Sequence, residues 1–474
     1  MSSSTVSAEG VEQGPSPTEG DEGGLRAAGR RATIAVAGTA AFLVFVGTTV
    51  VTLAVPTLRR ELGGGPAAGE WVVNGYTLAF AAILLGAGTL ADIFGARKVF
   101  LAGLGTVAVG ATASALANGA PMLIAAQFVQ GAGAALLLPS SLTLVTATAS
   151  GVRERARVIA VWGATGAVGM AAGPLLGGIL ITTVGWRSVF AVMVAIAVVI
   201  AVVTVLTTAA VPVRPRRLDV GGLLATIVLS AGLVFVMIEG PHLGWASPAV
   251  LVAMAAFVIG TVTFVLWERR TRAPLLPLGL ARHAEFTGSV VLGLLFNFAF
   301  YGLMFALSLL LQQAKGLSAL ATGLTFLSLT GLIAVGNLFA PPLAHRFGVR
   351  AAVHTGQALF AAGLIATAYT AVLDPRWPLV LALLPTGFGT GLMVPTMTAR
   401  LIESAPAALA GAASAAFNTS RQFGSAIGVA IFGALMTTSG DYVGGFRTSM
   451  IIAIAAVAVS AVITATVLRA RRTT

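Results

Sequence analysis

The chain has 474 residues and a formal net charge of +12, yet only 9% of it is charged and 57% is hydrophobic. A soluble domain carries about 25% charged residues, so this composition excludes one and calls for lipid as the solvent. The absence of cysteine excludes disulfides and thiolate chemistry, and the four scattered histidines (His242, His283, His345, His354) have no metal-site spacing.

Residues 1–25 are rich in Ser, Gly, Pro and acids. With the basic cluster Arg26, Arg30 and Arg31 they predict a disordered tail over 1–31. No cleavage-site pattern follows the cluster, so it is not a signal peptide. Hydropathy then predicts fourteen spans, near 32–56, 70–91, 98–117, 121–147, 156–182, 188–210, 219–239, 247–267, 286–312, 320–344, 351–373, 377–399, 412–437 and 447–468.

The basic residues sort by loop. On the side of the N-terminus lie 21 of them, among them Arg97, Lys98, Arg153, Arg155, Arg214, Arg216, Arg269, Arg346, Arg350, Arg400 and Arg469. The opposite side holds Arg59, Arg60, Arg187, Lys315, Arg376 and Arg447, and Arg421 falls inside a span. This bias places both termini in the cytoplasm, and it reads the charge as a topology signal rather than a nucleic-acid footprint. Arginine over lysine, with an Ala/Gly/Val bias, points to a GC-rich bacterial genome and hence to a bacterial cytoplasmic membrane.

The chain also repeats itself at an offset of about 255 residues. Leu90-Ala91-Asp92-Ile93-Phe94-Gly95-Ala96-Arg97 after the second span returns as Leu343-Ala344-His345-Arg346-Phe347-Gly348-Val349-Arg350 after the tenth. Gly131-Ala132-Gly133 with Pro139 returns as Gly387-Phe388-Gly389 with Pro395. The simplest account is two parallel six-span halves, 32–210 and 286–468, joined by two linker spans within 211–285 and followed by a short tail, 469–474. Parallel halves are a transporter architecture.

Gly88-Thr89-Leu90-Ala91-Asp92-Ile93-Phe94-Gly95-Ala96-Arg97-Lys98 is the most specific motif. Gly88 and Gly95 permit a tight turn, Asp92 can cap a helix or pair with an arginine, and Arg97 and Lys98 anchor the loop. An ordinary basic loop is the alternative. The run resembles the cytoplasmic loop signature of the major facilitator superfamily. In the fifth span, Gly169-x3-Gly173-Pro174-x2-Gly177-Gly178 lets helices touch backbone to backbone, with a proline kink. It resembles the antiporter motif of drug:proton exchangers in that superfamily; a generic packing face would explain its glycines alone.

Trp71-Val72-Val73-Asn74-Gly75-Tyr76, Gln130-Gly131-Ala132-Gly133, Gly185-Trp186-Arg187 and Asn418-Thr419-Ser420-Arg421-Gln422 are similar to the fourteen-spanner drug:proton antiporter family, over residues 34 to 468. Phe286-Thr287-Gly288 and Phe296-Asn297-Phe298 look like actinobacterial exporters of the methylenomycin-resistance type. The resemblance implies an all-α polytopic membrane protein with the major facilitator fold, two six-helix halves plus two central helices. It implies a monomer that exports small organic molecules by alternating access, driven by the proton gradient and without a cofactor. The loops at 88–98 and 340–350, with Arg346, Gly348 and Arg350, would latch the cytoplasmic side. Spans one, four, nine and twelve would line the cavity.

Two positions depart from the family. Gly47 stands where the first span carries an aspartate, and Gln127 where the fourth carries an arginine. Losing one member of a buried ion pair costs about 3–5 kcal/mol, whereas losing both can be nearly neutral, so the two are expected to form a pair in relatives. Glu239, near the outer end of the seventh span, is then the candidate proton-coupling acid; Asp92 and Asp219 sit at span ends and suit structural roles. Candidate cavity residues are Gln127 and Gln130; Asn297, Tyr301 and Met304; and Asn418, Arg421 and Gln422. Each could instead serve helix packing, Arg421 by bonding carbonyls. An uncoupled facilitator or importer on the same fold, or a non-transporting membrane sensor, are the rival readings. No catalytic constellation marks an enzyme.

Overall fold

Hydrocarbon offers no partner to a backbone N–H or C=O, so each apolar run closes its own hydrogen bonds as a helix. The computed structural model describes residues 19–65, 67–211, 213, 218–271, 274–276, 278–404, 406, 409–437 and 440–467. Residues 1–18 of the expected tail, the loop arginines 214, 216, 217 and 272, and the expected tail 469–474 lie outside the described residues.

Among the described residues there are fourteen long helices and no strand. They are α1 (Glu19–Leu62), α2 (Ala68–Phe94), α3 (Ala96–Ala115), α4 (Ala120–Ala147), α5 (Val152–Thr183), α6 (Arg187–Thr207) and α7 (Val220–Leu243). Then follow α8 (Pro248–Arg270), α9 (Ala284–Leu309), α10 (Ala319–Phe347), α11 (Val349–Thr370), α12 (Trp377–Ser404), α13 (Ala410–Thr437) and α14 (Tyr442–Val467). Over residues 19–31 the expected disordered tail is replaced by helix continuous with α1. Extending an existing helix needs no new nucleus, which explains the run-on. Thirteen of the fourteen are long and apolar enough to cross a membrane. The exception, α13, is diluted by its run Asn418-Thr419-Ser420-Arg421-Gln422.

The packing repeats as the sequence does. In the first six helices α1 lies on α5 and α6, α4 on α2 and α3, and α3 on α6. In the last six α9 lies on α13 and α14, α12 on α10 and α11, and α11 on α14. The two sets meet where α5 packs on α10 and α2 packs on α13. The additional helices pair with each other, and α7 docks on both α2 and α13. Asp219 caps α7 by accepting from the Gly222 amide at 2.8 Å and from the Trp267 indole at 2.6 Å, the structural role expected of it.

Glycine sets these contacts, because apolar side chains gain little over lipid and association rests on close packing. A Cβ at Gly131 would collide with the Tyr76 carbonyl on α2, and one at Gly387 with the Leu329 carbonyl on α10. A Cβ at Gly133 would stand 2.8 Å from the Gly103 oxygen on α3, and one at Gly389 2.5 Å from the Gly356 oxygen on α11. The repeated glycine pairs thus wedge α4 and α12 between equivalent neighbours. The two repeated turns match as well: Gly95 has φ 89° and Gly348 φ 86°, a left-handed conformation that disfavours any side chain.

Gly131→Leu and Gly387→Leu are expected to be equally damaging, since each forces a side chain into a neighbour's backbone. Size-exclusion profiles in detergent should lose the monodisperse peak for both, while Gly105→Leu, which meets open space, should keep it.

Candidate functional site: the pathway between the halves

The end of the bundle where α1 begins carries most of the arginines and is called the basic end; the other is the far end. Among the described residues, the hydrogen bonds and close glycine contacts between the two sets of helices run from mid-depth to the far end. On α5, Gly178 abuts Ala319 and Leu320 of α10, and Thr182 accepts from the Leu320 amide at 3.2 Å. Further in, Thr330 donates to the Ala171 carbonyl at 3.1 Å, and Gly323 lies against the Pro174 carbonyl. Between α2 and α13, Ala67 and Leu78 pack with Ala426 and Ala430, together with Val234 and Ile238 of α7. On α9, Ser308 donates to the Thr52 carbonyl at 3.3 Å and Gln312 to the Leu53 carbonyl at 3.1 Å. Outside this seal is a cavity of about 370 Å³ lined by Pro56, Arg60, Thr182, Gln312, Gln313 and Ser318.

Toward the basic end the facing surfaces come apart. Val168 and Val161, on the α5 face that carries Ala171, are 53% and 44% exposed. Asn418, Arg421 and Gln422 of α13 are partly exposed as well. The molecule is therefore closed at the far end and parted at the basic end.

Five of the expected cavity residues come together there. Arg421 Nε donates to Asn297 Oδ1 on α9 at 3.2 Å, and its guanidinium lies 5.8 Å from the Phe417 ring centroid. Tyr301, one turn beyond Asn297, faces Arg421 and also Thr48 of α1. Asn418 donates to the Ser414 carbonyl at 2.9 Å and sits one turn from Arg421 with Gln422. The charge inside the membrane is thus engaged by a neutral amide and an aromatic face rather than by an acid.

Gln127 and Gln130 turn away from the Arg421 cluster, and Met304 is buried like Asn297. All four are at most 1% exposed. Gln127 donates to Ser114 at 3.3 Å and to Gln130 at 3.4 Å, and Gln130 donates to the Met193 sulfur at 3.4 Å. This polar face of α4 is turned to α3 and α6, inside the first set of helices. A buried amide must satisfy its own hydrogen bonds, and here the neighbouring helices supply them.

That network connects the two departures from the family. Gly47 faces the Met193 methyl, 3.1 Å from where a Cβ would stand, and the Tyr76 hydroxyl at 3.4 Å. Met193 leads to Gln130 and Gln130 to Gln127. The places of the missing acid and the missing arginine are joined by one chain of neutral groups. Tyr76 turns its own hydroxyl proton to the Val44 carbonyl at 3.1 Å.

Of the loop residues expected as a latch, Arg97 bonds within its own set of helices. Arg97 Nη2 donates to the Val205 carbonyl of α6, in its own set of helices, at 2.7 Å. Gly88 meets open space, Asp92 is partly buried just before the Gly95 turn, and Lys98 is exposed. Arg346 lies 5.2 Å from the Phe347 ring and, like Gly348 and Arg350, is exposed.

The antiporter-like run binds both ways. Gly169, Gly173 and Gly177 seat on Phe42, Thr49 and Val50 of α1, while Pro174 and Gly178 face α10. Its counterpart, which the sequence reading missed, is Gly424, Gly428 and Gly433 on α13, again at an offset of about 255. Gly424 and Gly428 seat on the Leu294 and Phe298 carbonyls of α9, and Gly433 on Glu70. Also missed were Glu70 and His242 at the far end. The available signal was an acid at the mouth of a span, directly before Trp71. Glu239, the expected coupling acid, accepts from Trp71 Nε1 at 2.6 Å and so ties α7 to α2.

Two like sets of membrane helices, sealed at one end and parted at the other around a polar cluster, define a transporter rather than an enzyme. The chain belongs to the major facilitator superfamily, which it matches over residues 37–429 and 290–474. It is 34% identical to a methylenomycin A resistance protein of Streptomyces coelicolor, over 92% of each chain. It is 36% identical to a cephamycin export protein of Amycolatopsis lactamdurans, over 87% of this chain and 85% of the relative. A tetracenomycin C resistance and export protein of Streptomyces glaucescens is 32% identical over 86% of this chain and 76% of its own. Among solved structures, a transporter of the POT family superposes with a TM-score of 0.69 at 14% identity, covering 92% of this chain and 96% of that one. A D-xylose-proton symporter gives 0.65 at 15% identity, covering 91% and 96%.

Asn297→Leu should lower the thermal unfolding midpoint by orphaning Arg421, a loss of about 1–3 kcal/mol. Arg421→Met in that background should recover most of it, as read by a thermal scan of the purified protein in detergent.

Proposed function

We propose that this transporter exports small organic molecules of the antibiotic or natural-product class, by alternating access. The observation that carries this reading is the closed far end above a parted basic end, with Tyr301, Asn418, Arg421 and Gln422 partly exposed between them and Asn297 bonded to Arg421. The arginine bias puts the basic end and both termini in the cytoplasm of a bacterial cell, so the conformation is the one that loads from inside. Residues 32–210 and 286–468 rock as two halves, with 211–285 between them. When the basic end closes, the loops at 88–98 and 340–350 approach the opposite half and latch it. The activities for which the relatives are named, resistance and export of three different antibiotics, support the substrate class. A cluster of amides and a phenol, with its one cation already held by Asn297, suits neutral or weakly polar molecules.

The protein acts as a monomer, and the proton gradient drives the export. Because Gly47 and Gln127 are uncharged, proton coupling does not pass through the first and fourth spans. An uncoupled facilitator is the second reading, and the same two residues favour it.

Expression in an efflux-deficient bacterial host should raise the inhibitory concentration of at least one compound in a panel of antibiotics, and Arg421→Leu should abolish the rise. Measured at two external pH values, the protection should strengthen in acid; protection equal at both would favour the uncoupled reading. No change for any compound would favour the sensor.

A further inference from the structure

The two far-end crossings are built alike and filled differently. At the α5–α10 crossing, Gly178 meets only the backbone of Ala319 and Leu320. At the α2–α13 crossing the equivalent glycine, Gly433, meets a carboxylic acid: a Cβ there would lie 2.7 Å from Glu70 Cδ. Glu70 is 1% exposed, and neither of its oxygens meets a hydrogen-bond donor among the described residues. His242 Nε2, from α7, stands 3.5 Å from Glu70 Oε1.

The charged groups around this pair can be named from each packed helix. From α7 comes Glu239, whose charge the Trp71 indole already satisfies at 2.6 Å. From α1 comes Arg59. From α13 the Gly433 backbone closes over Glu70. With both glutamates ionised, Arg59 charged and His242 neutral, the set carries one net negative charge. One proton on the pair brings it to zero. Burying an uncompensated charge is costly, so sealing Gly433 over Glu70 favours the protonated set.

We propose that the Glu70–His242 pair is a proton-binding site built into the far-end gate, filled from the far-end water as α13 closes on α2. The proposal deepens the alternating-access reading and rests on it. The proton goes to the Glu70 carboxylate or the His242 imidazole and returns to the far-end water when the helices part, so the site makes the gate respond to pH and carries no proton across the membrane. Acid at the far end therefore pulls the gate shut and returns the transporter to the conformation open at the basic end. The linker helix α7 thereby acquires a role, since it supplies the base that lets Glu70 be buried.

The chain has no cysteine, so Leu116→Cys and Leu373→Cys, exposed at the far ends of α3 and α11, give a unique pair of spin labels across the gate. Their separation is measured by double electron–electron resonance in lipid nanodiscs from about pH 5 to about pH 8. The otherwise unaltered protein should show a short distance in acid that lengthens as pH rises. Glu70→Gln should hold the short distance throughout. His242→Gln, which removes a base from the pair, should move the midpoint down by about one pH unit, a tenfold loss of proton affinity. It also keeps the test open if Glu70→Gln does not fold. A pH response unchanged in these variants, or none in the parent, overturns the proposal. Gly323→Leu, wedged against the Pro174 carbonyl, separates the two levels. If it lengthens the distance while the Glu70 and His242 variants change nothing, the moving gate stands and the proton site falls. If it leaves the distance short, the alternating-access reading falls and the site with it.

Discussion

The structure depends on how closely two helix backbones can approach in a solvent that gives them no reason to associate. Lipid is as apolar as leucine, so burial alone holds nothing together, and stability comes from contact area at short range. Glycine supplies it. Gly131 and Gly133 let α4 sit against α2 and α3, and Gly387 and Gly389 do the same for α12 against α10 and α11. Contacts of this kind are sharp: one added carbon breaks them. They make each set of helices a stiff unit, as rocking of one unit against the other requires.

The same contact, used between the sets, becomes a gate. Gly178 and Gly323 join α5 to α10 with almost no side chain between, and a few serine, threonine and glutamine bonds to carbonyls complete the seal. Bonds of that kind are modest singly and can be exchanged for water when the helices part. The antiporter-like run serves α1 with one face and α10 with the next. One short segment thus fastens α5 to its own half and meets the other half.

Charge is distributed unequally over this symmetrical frame. The first set of helices has neutral groups, Gly47 to Gln127, where the resemblance to drug:proton antiporters leads one to expect an acid and an arginine. The second set holds Arg421, engaged by Asn297 and facing Tyr301. The acids that remain near the pathway, Glu70 and Glu239, sit at the far end with α7. Loading and pH control of the gate would then be separated in space, the first at mid-depth and the second at the far end.

Much of the frame was legible in the sequence. Thirteen of the fourteen runs are long and apolar enough to span lipid, the loop arginines alternate, and the Gly95 and Gly348 turns repeat because the same left-handed backbone is needed twice. These are local properties, set by the solvent and by neighbouring residues along the chain. The site was only half legible. The stripe Asn418–Gln422 and the pair Asn297 and Tyr301 stand out in the sequence because a polar face on an apolar helix is costly wherever it lies. Which neighbour a polar face meets is not local. Gln127 and Gln130 look like cavity residues in sequence, yet α3 and α6 bond them inside one half. Glu239 looks free, yet Trp71 holds it. Glu70 looks like a helix-end acid, and only the crossing of α13 over α2 buries it against His242. The sequence by itself determined a membrane-spanning transporter frame; the tertiary structure decided which polar groups face water, each other or the gate, because that depends on which helices cross and at what depth.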